Sequence, residues 1–162
     1  GPVFRPSHIK RLACVLRLNP MLDPWRENDS PNRARLTWNM VFPSSQCQLS
    51  QCEAPHSRIA STNEAATIPR VAQIRLVRKG YPWTINIDAS DPHAGVTCAD
   101  IIEQLDRHLR IHVTQRTVQE LSPEEEDELV QIYHSNRAHV RSLGVGMRRL
   151  EWLRKATMFC GV

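Results

Sequence analysis

The sequence contains no apolar run approaching the roughly 18 residues that a membrane-spanning helix needs. It also contains no P-loop, no G-x-G-x-x-G fingerprint and no G-x-S-x-G nucleophile elbow. These absences argue against a membrane protein and against the common nucleotide-binding and hydrolase classes. No secretory signal is visible near the N-terminus, so we expect an intracellular protein, cytoplasmic or nuclear, that does not bind membranes.

The five cysteines are odd in number and show no regular spacing, which favours a reduced protein over a disulfide framework. Cys47, Cys52 and His56 have C-x4-C-x3-H spacing, and thiolate and imidazole groups are zinc ligands. A structural zinc site needs a fourth ligand, and no second close pair follows in the sequence. We therefore predict neither a metal nor a cofactor, and keep these three residues as an alternative zinc site.

One stretch, residues 81–109, predicts a strand, a turn and a helix. Trp83, Ile85 and Ile87 alternate with polar residues, which is typical of a half-buried strand. After a turn at residues 90–95, Thr97 is placed to cap a helix whose third position is Asp100. The apolar residues of this helix recur at helical spacing, so one of its faces is expected in the core.

Two further strands are predicted by alternation, at residues 36–40 and 70–77, and the second should form a hairpin with the Trp83 strand. Residues 8–18 favour either a short amphipathic helix or an extended arm. Thr114 is placed to cap a short helix at residues 115–121.

Two features are predicted in the last part of the chain. Ser122-Pro123 begins a long helix with an acidic first turn, and Gly144 and Gly146 are expected to end it. Residues 149–154 predict a last strand that turns Leu150 and Trp152 inward.

Together these elements predict an α+β fold: a small antiparallel or mixed sheet of three to four strands, with about three helices packed on one face. Gly1-Pro2 is typical of the remnant left by a tag-removing protease, so we expect a natural N-terminal segment to have been cut away. Residues 1–17 are predicted to be an arm and residues 18–162 a single domain. Within that domain, residues 43–69 predict a long polar surface loop because they are poor in large apolar residues.

Several short motifs resemble a known family. They are Leu18-Asn19-Pro20-Met21-Leu22, Leu36-Thr37-Trp38-Asn39, Ala66-Thr67-Ile68-Pro69, Pro82-Trp83-Thr84-Ile85, Val96-Thr97-Cys98-Ala99-Asp100-Ile101-Ile102, Gly146-Met147-Arg148-Arg149-Leu150-Glu151-Trp152-Leu153 and Phe159-Cys160-Gly161. In order and spacing the chain resembles a domain of unknown function that is abundant in mushroom-forming fungi, from about Leu18 to Val162. The resemblance implies a fungal source and a compact single domain, and it implies no reaction.

Basic residues concentrate towards the end of the chain, whose formal net charge is +4. They suggest a surface that binds phosphates, with a tryptophan available for stacking. The other interpretation is that Arg148 and Arg149 flank an edge strand and that Trp152 belongs to the core. The candidate interaction residues are Trp83, Arg107, Arg137, Arg141, Arg148, Arg149 and Trp152.

Three functional hypotheses follow. The first is a non-catalytic protein-interaction module that binds another protein or a second copy of itself, through an exposed strand edge or the tryptophan-rich strands. The second is a nucleic-acid-binding accessory domain that uses the basic surface. The third is an uncharacterised enzyme with a His–carboxylate pair or with Cys98, whose thiol lies in the first turn of a predicted helix, where the helix dipole lowers a thiol pKa.

Overall fold

Short strands and helices make up the computed structural model, which describes residues 1–12, 15–24, 34–50 and 61–162. The strands are β1 (Val3–Phe4), β2 (Arg17–Leu18), β3 (Arg35–Asn39), β4 (Gln48–Ser50), β5 (Thr67–Ile68), β6 (Arg70–Val71), β7 (Gln73–Leu76), β8 (Ile85–Asp88) and β9 (Met158–Phe159). The helices are α1 (Pro6–Leu12), α2 (Cys98–Leu109), α3 (Gln115–Gln119) and α4 (Pro123–His139). Short 3-10 segments lie at Pro20–Leu22, Ser44–Gln46, Arg141–Leu143 and Arg149–Leu153.

The α+β class predicted from the sequence is confirmed, and its strands are distributed over several small sheets. β4, β3 and β9 form a three-stranded antiparallel sheet, and β7 and β8 form a hairpin. β1 pairs in parallel with β6, and β2 pairs antiparallel with β5. No helix in the described ranges is long and apolar enough to cross a membrane.

The hairpin and α2 form the centre of the molecule, as the pattern of residues 81–109 predicts. Ile74 pairs with Ile87 and Leu76 with Ile85, so the apolar residues of β7 and β8 share one face. β8 begins at Ile85, two residues later than the alternation predicts, and Trp83 lies in the loop before β8. α2 packs against β8 and buries the apolar face that its sequence predicts.

The N-terminus of α2 carries the predicted cap. The backbone N–H of Asp100 donates to the Thr97 hydroxyl at 3.1 Å, and the Thr97 N–H donates to the Asp100 carboxylate at 2.9 Å. This capping box satisfies two N–H groups that the helix itself leaves unpaired. The predicted caps of α3 by Thr114 and of α4 by Ser122 are also confirmed.

The predicted last strand at residues 149–154 is wrong, because Arg149–Leu153 is a 3-10 helix. The alternation of Leu150 and Trp152 indicated a strand, but Glu151 and Leu153 are buried as well, so no polar face exists. The Glu151 carboxylate accepts a 2.6 Å hydrogen bond from the backbone N–H of Arg148, which begins the helix as a side-chain cap. The strand at this end of the chain is β9, which pairs with β3.

Several boundaries also differ from their predictions, and the strand predicted at residues 70–77 is divided into β6 and β7. Residues 8–18 are neither a single helix nor a single extended arm, since the helix α1 ends at Leu12 and Arg17–Leu18 is a strand. α4 ends at His139, before a 3-10 segment that separates it from Gly144 and Gly146. The division into an arm at residues 1–17 and a domain at 18–162 stays a prediction.

Candidate partner-binding pocket

An apolar pocket of about 390 Å³ lies where the β7–β8 hairpin, α2 and the C-terminal residues meet. Its volume is within the range of pockets that bind ligands or partner side chains. Residues far apart in sequence form its walls. The lining residues are Met40, Leu76, Val77, Arg78, Tyr81, Trp83, Ile85, Leu105, Leu109, Leu153, Ala156, Met158, Phe159, Cys160, Gly161 and Val162.

Two large apolar side chains of the lining are exposed to solvent. Val77, which follows β7, is 75% exposed, and Met158 of β9 is 48% exposed. An isolated exposed apolar residue is ordinary, but here two such residues lie on the lining of one apolar pocket. They extend its apolar surface outward to the solvent.

Tyr81 lines the pocket, and its buried hydroxyl has no partner among the described residues. The residue is only 8% exposed, and within the described residues its hydroxyl has no hydrogen-bond partner. Burial raises the pKa of Tyr81 well above its usual range, while the positive charges of Arg149 and Arg78 act in the opposite direction. The hydroxyl therefore stays protonated and is available as a donor.

An aromatic cluster adjoins this pocket and joins three of the predicted interaction residues. The Trp83 ring lies edge-on to Tyr81, with centroids 5.2 Å apart, and edge-on to Trp152 at 5.3 Å. The Arg149 guanidinium carbon lies 4.9 Å from the centre of the Trp83 ring, which is a cation–π contact. Trp152 is buried, so its role is in the core, while Trp83 is half-buried and reaches the pocket.

His108 of α2 packs into the same cluster. Its ring centre is 6.0 Å from that of Tyr81, and an Arg149 nitrogen lies 3.1 and 3.2 Å from its two ring nitrogens. Burial, together with the positive charge of Arg149, lowers the pKa of His108 to about 4. The imidazole is therefore neutral at neutral pH, and this lets the guanidinium approach it.

Arg137, another predicted interaction residue, is occupied by contacts within the protein. Its guanidinium bonds the buried Glu151 carboxylate at 2.9 Å and donates to the carbonyls of Gly144 and Gly146 at 2.8 and 2.6 Å. It also lies 3.5 Å from the centre of the Tyr133 ring. These contacts give Arg137 a structural role between α4 and the following loop.

Arg148 is held in the same way, whereas Arg107 and Arg141 are exposed. The Arg148 guanidinium donates twice to the Leu143 carbonyl, at 3.0 and 2.6 Å, and once to the Arg110 carbonyl at 2.7 Å. Arg107 lies 3.9 Å from Glu103 at the surface. The basic residues that look like one patch in the sequence are therefore divided between internal contacts and separate surface positions.

Among the described free cysteines, Cys160 is exposed, whereas Cys98 and Cys47 are shielded to different degrees by burial. Cys98 is fully buried, and burial, with the negative charge of Glu64, raises its thiol pKa to about 12. The effect of burial is opposite to that expected from the helix dipole. Cys47 is half-buried and its thiol pKa is also raised by burial.

The alternative zinc site cannot be assembled from the described residues. Cys52 and His56 lie outside them. Within residues 1–12, 15–24, 34–50 and 61–162, no group of three or more His, Cys, Asp or Glu side chains is placed to hold a metal ion.

The sequence pattern did not identify the pocket itself. The segment with Arg78 and Tyr81 predicts only a hairpin loop, and Met158 and Phe159 predict only that the C-terminus docks on the core. Val77, at the end of a predicted strand, and the four tryptophans were the available signals. Neither indicates that residues 76–85 meet residues 153–162.

A family model described as "Family of unknown function (DUF6699)" matches residues 36–162, and the chain belongs to this family. This confirms the predicted membership of a family without a known function. Neither the search of curated proteins nor that of solved structures found a match.

We predict that Arg148→Ala destabilises the protein and that Arg141→Ala does not. Arg148→Ala leaves two partly buried carbonyls without their charged donor, which should lower the free energy of unfolding by about 2–4 kcal/mol. Arg141 is exposed, so its replacement should change that value by less than about 0.5 kcal/mol. Urea unfolding of both variants measures the difference, and equal stabilities would contradict the structural role of Arg148.

We predict that stability falls as the pH is lowered from 6.5 towards 4, in part because of His108. In this interval the unfolded chain takes up a proton on His108 and the folded protein does not, so protonation favours unfolding. Urea midpoints measured across the interval should fall less steeply in His108→Gln than in the wild type. His93→Gln, which alters an exposed histidine, is the control and should leave the slope unchanged. An unchanged slope in His108→Gln would contradict the assignment.

Proposed function

We propose that this protein is a non-catalytic protein-interaction module whose partner binds at the apolar pocket between the β7–β8 hairpin and the C-terminal residues. The observation that carries the proposal is the exposure of Val77 and Met158 on the lining of an apolar pocket. Burying such side chains against a partner stabilises a complex by about 25 cal/mol per Å² of apolar area.

The exposed lining favours a protein partner over a small molecule. A small ligand inside the pocket would leave much of the Val77 and Met158 side chains in water, since both extend outward. A partner surface that inserts one apolar side chain would cover them as well. Interfaces of this kind concentrate their binding energy in an anchor residue held in a pocket.

The state of the candidate nucleophile supports a binding role. Cys98 is buried and its thiol pKa is raised to about 12, so the thiol is neither accessible nor ionised at neutral pH. His108 packs against Tyr81 and Arg149, where it contributes to the cluster beside the pocket.

The contacts of Arg137 and Arg148 also favour a protein partner over nucleic acid. Their guanidinium donors are directed at backbone carbonyls and at Glu151, so they are not presented to phosphate groups. The proposed partner is either another protein or a second copy of this chain. The proposal also keeps the intracellular location and the fungal source expected from the sequence.

We predict that the double variant Val77→Ser/Met158→Ser loses its partner while Val145→Ser keeps it. Both changes of the double variant remove apolar contact area at exposed positions, so the fold should be retained. Val145 is 88% exposed and does not line the pocket, which makes it a matched control. Immobilised wild type and Val145→Ser should retain the same protein from an extract of the source organism, and the double variant should retain at least about tenfold less.

Sedimentation velocity of the same proteins tests the second copy as partner. A dimer that forms in the wild type and Val145→Ser, but not in the double variant, would identify self-association through the pocket. Equal capture by all three proteins would place the partner elsewhere. A wild type that captures nothing and stays monomeric would contradict the proposed function.

A further inference from the structure

The pocket has an asymmetric charge. Arg78 is the single residue with a charged side chain among the described residues that line it, and no acidic side chain accompanies it there. Arg78 is exposed and forms no ion pair within the part of the chain that the structure describes. It differs in this from Arg110, Arg137 and Arg154, whose guanidinium groups all meet carboxylates. An unpaired guanidinium beside an apolar pocket favours a partner with a carboxylate.

The Tyr81 hydroxyl is a second and independent feature of the same region. It belongs to a pocket-lining residue that is more than nine-tenths buried, and it has no hydrogen-bond partner among the described residues. A buried hydroxyl without a partner is costly, so such a group in a native protein requires an explanation, of which a bound ligand is one. The backbone N–H of Tyr81 donates to the Arg78 carbonyl at 3.1 Å, so one tight turn holds both side chains.

We propose that the pocket recognises a protein segment in which a large apolar side chain stands next to an aspartate or glutamate. The apolar side chain fills the pocket between Leu105, Leu109 and Phe159. The carboxylate takes the Arg78 guanidinium and the Tyr81 hydroxyl as its hydrogen-bond donors. This inference rests on the proposed function and adds to it the chemistry of the partner.

Each part of the segment has a separate reason. The apolar residue is required because fifteen of the sixteen lining residues have uncharged and mostly apolar side chains. The carboxylate is required because the remaining one, Arg78, has a positive charge that forms no ion pair with any residue the structure describes. A lysine at the same place in the partner would be repelled, so the site selects for sign as well as for shape.

The test uses short synthetic peptides, acetylated and amidated at their ends so that only side chains carry charge. Three peptides present leucine next to glutamate, glutamine or lysine in a Gly-Ser background. Affinity is measured by the shift of the amide and indole signals in ¹⁵N–¹H spectra of the full chain. The wild type should bind the Leu–Glu peptide at least about fivefold more tightly than the Leu–Gln peptide, and the Leu–Lys peptide most weakly.

Three variants of the protein show which residues cause the preference for the Leu–Glu peptide. Arg78→Glu should reverse the order, so that the Leu–Lys peptide binds best. Arg75→Glu makes the same charge change on an exposed β7 residue that does not line the pocket, and it should keep the preference for Leu–Glu. Tyr81→Phe retains the aromatic ring and removes only the hydroxyl, so it should bind all three peptides with a reduced Glu/Gln ratio.

The outcomes separate this inference from the proposed function. Equal binding of the Leu–Glu and Leu–Gln peptides would overturn the requirement for a carboxylate. The pocket would then remain a site that binds a protein through apolar contacts. The same order of affinities in Arg78→Glu as in the wild type would overturn the role of Arg78. A third outcome is that no peptide binds while capture of the partner protein still depends on Val77 and Met158. That outcome would also overturn the inference and leave the proposed function standing. Binding of hexanoate without any peptide would assign the pocket to small amphipathic acids and overturn both.

Discussion

A single buried carboxylate, that of Glu151, holds together the part of the structure on which the pocket depends. It bonds the Arg137 guanidinium at 2.9 Å, accepts the Arg148 N–H at 2.6 Å and lies 3.4 Å from the Asn136 amide nitrogen. A fully buried charge is tolerated only when it is paired and hydrogen-bonded in this way. The constraint ties α4 to the 3-10 helix Arg149–Leu153, whose other residues then have fixed positions.

The consequences of that constraint reach the pocket directly. Because the 3-10 helix is fixed, Arg149 lies over the Trp83 ring, Trp152 packs against its edge and Leu153 forms part of the pocket lining. α2 supplies the opposite side with Leu105 and Leu109, held by its capped N-terminus and its packing against β8. The pocket is therefore built from elements that the core already orders, which reduces the entropy lost when a partner binds.

Local signals in the sequence predicted much of the fold. The caps at Thr97 and Ser122 and the hairpin were correct, because each depends on residues that are neighbours in the chain. The segment at Arg149–Leu153 was misread, since four consecutive buried residues have no periodicity and two of them happened to alternate. The sequence did not separate Arg137 and Arg148, which make internal contacts, from the exposed Arg107 and Arg141. The carbonyls that accept from Arg137 and Arg148 come close to them only in the folded protein. The pocket was missed for the same reason, since its two halves lie more than about 60 residues apart.

The most direct test of the central claim is a map of the ¹⁵N–¹H signals that change when the captured partner is added to the labelled protein. The account predicts the largest changes at the backbone amides of Val77, Tyr81 and Met158 and at the Trp83 indole, with little change at Arg141 or along α4. Changes concentrated at Arg107, Arg141 and the acidic first turn of α4, with the pocket signals unmoved, would contradict it.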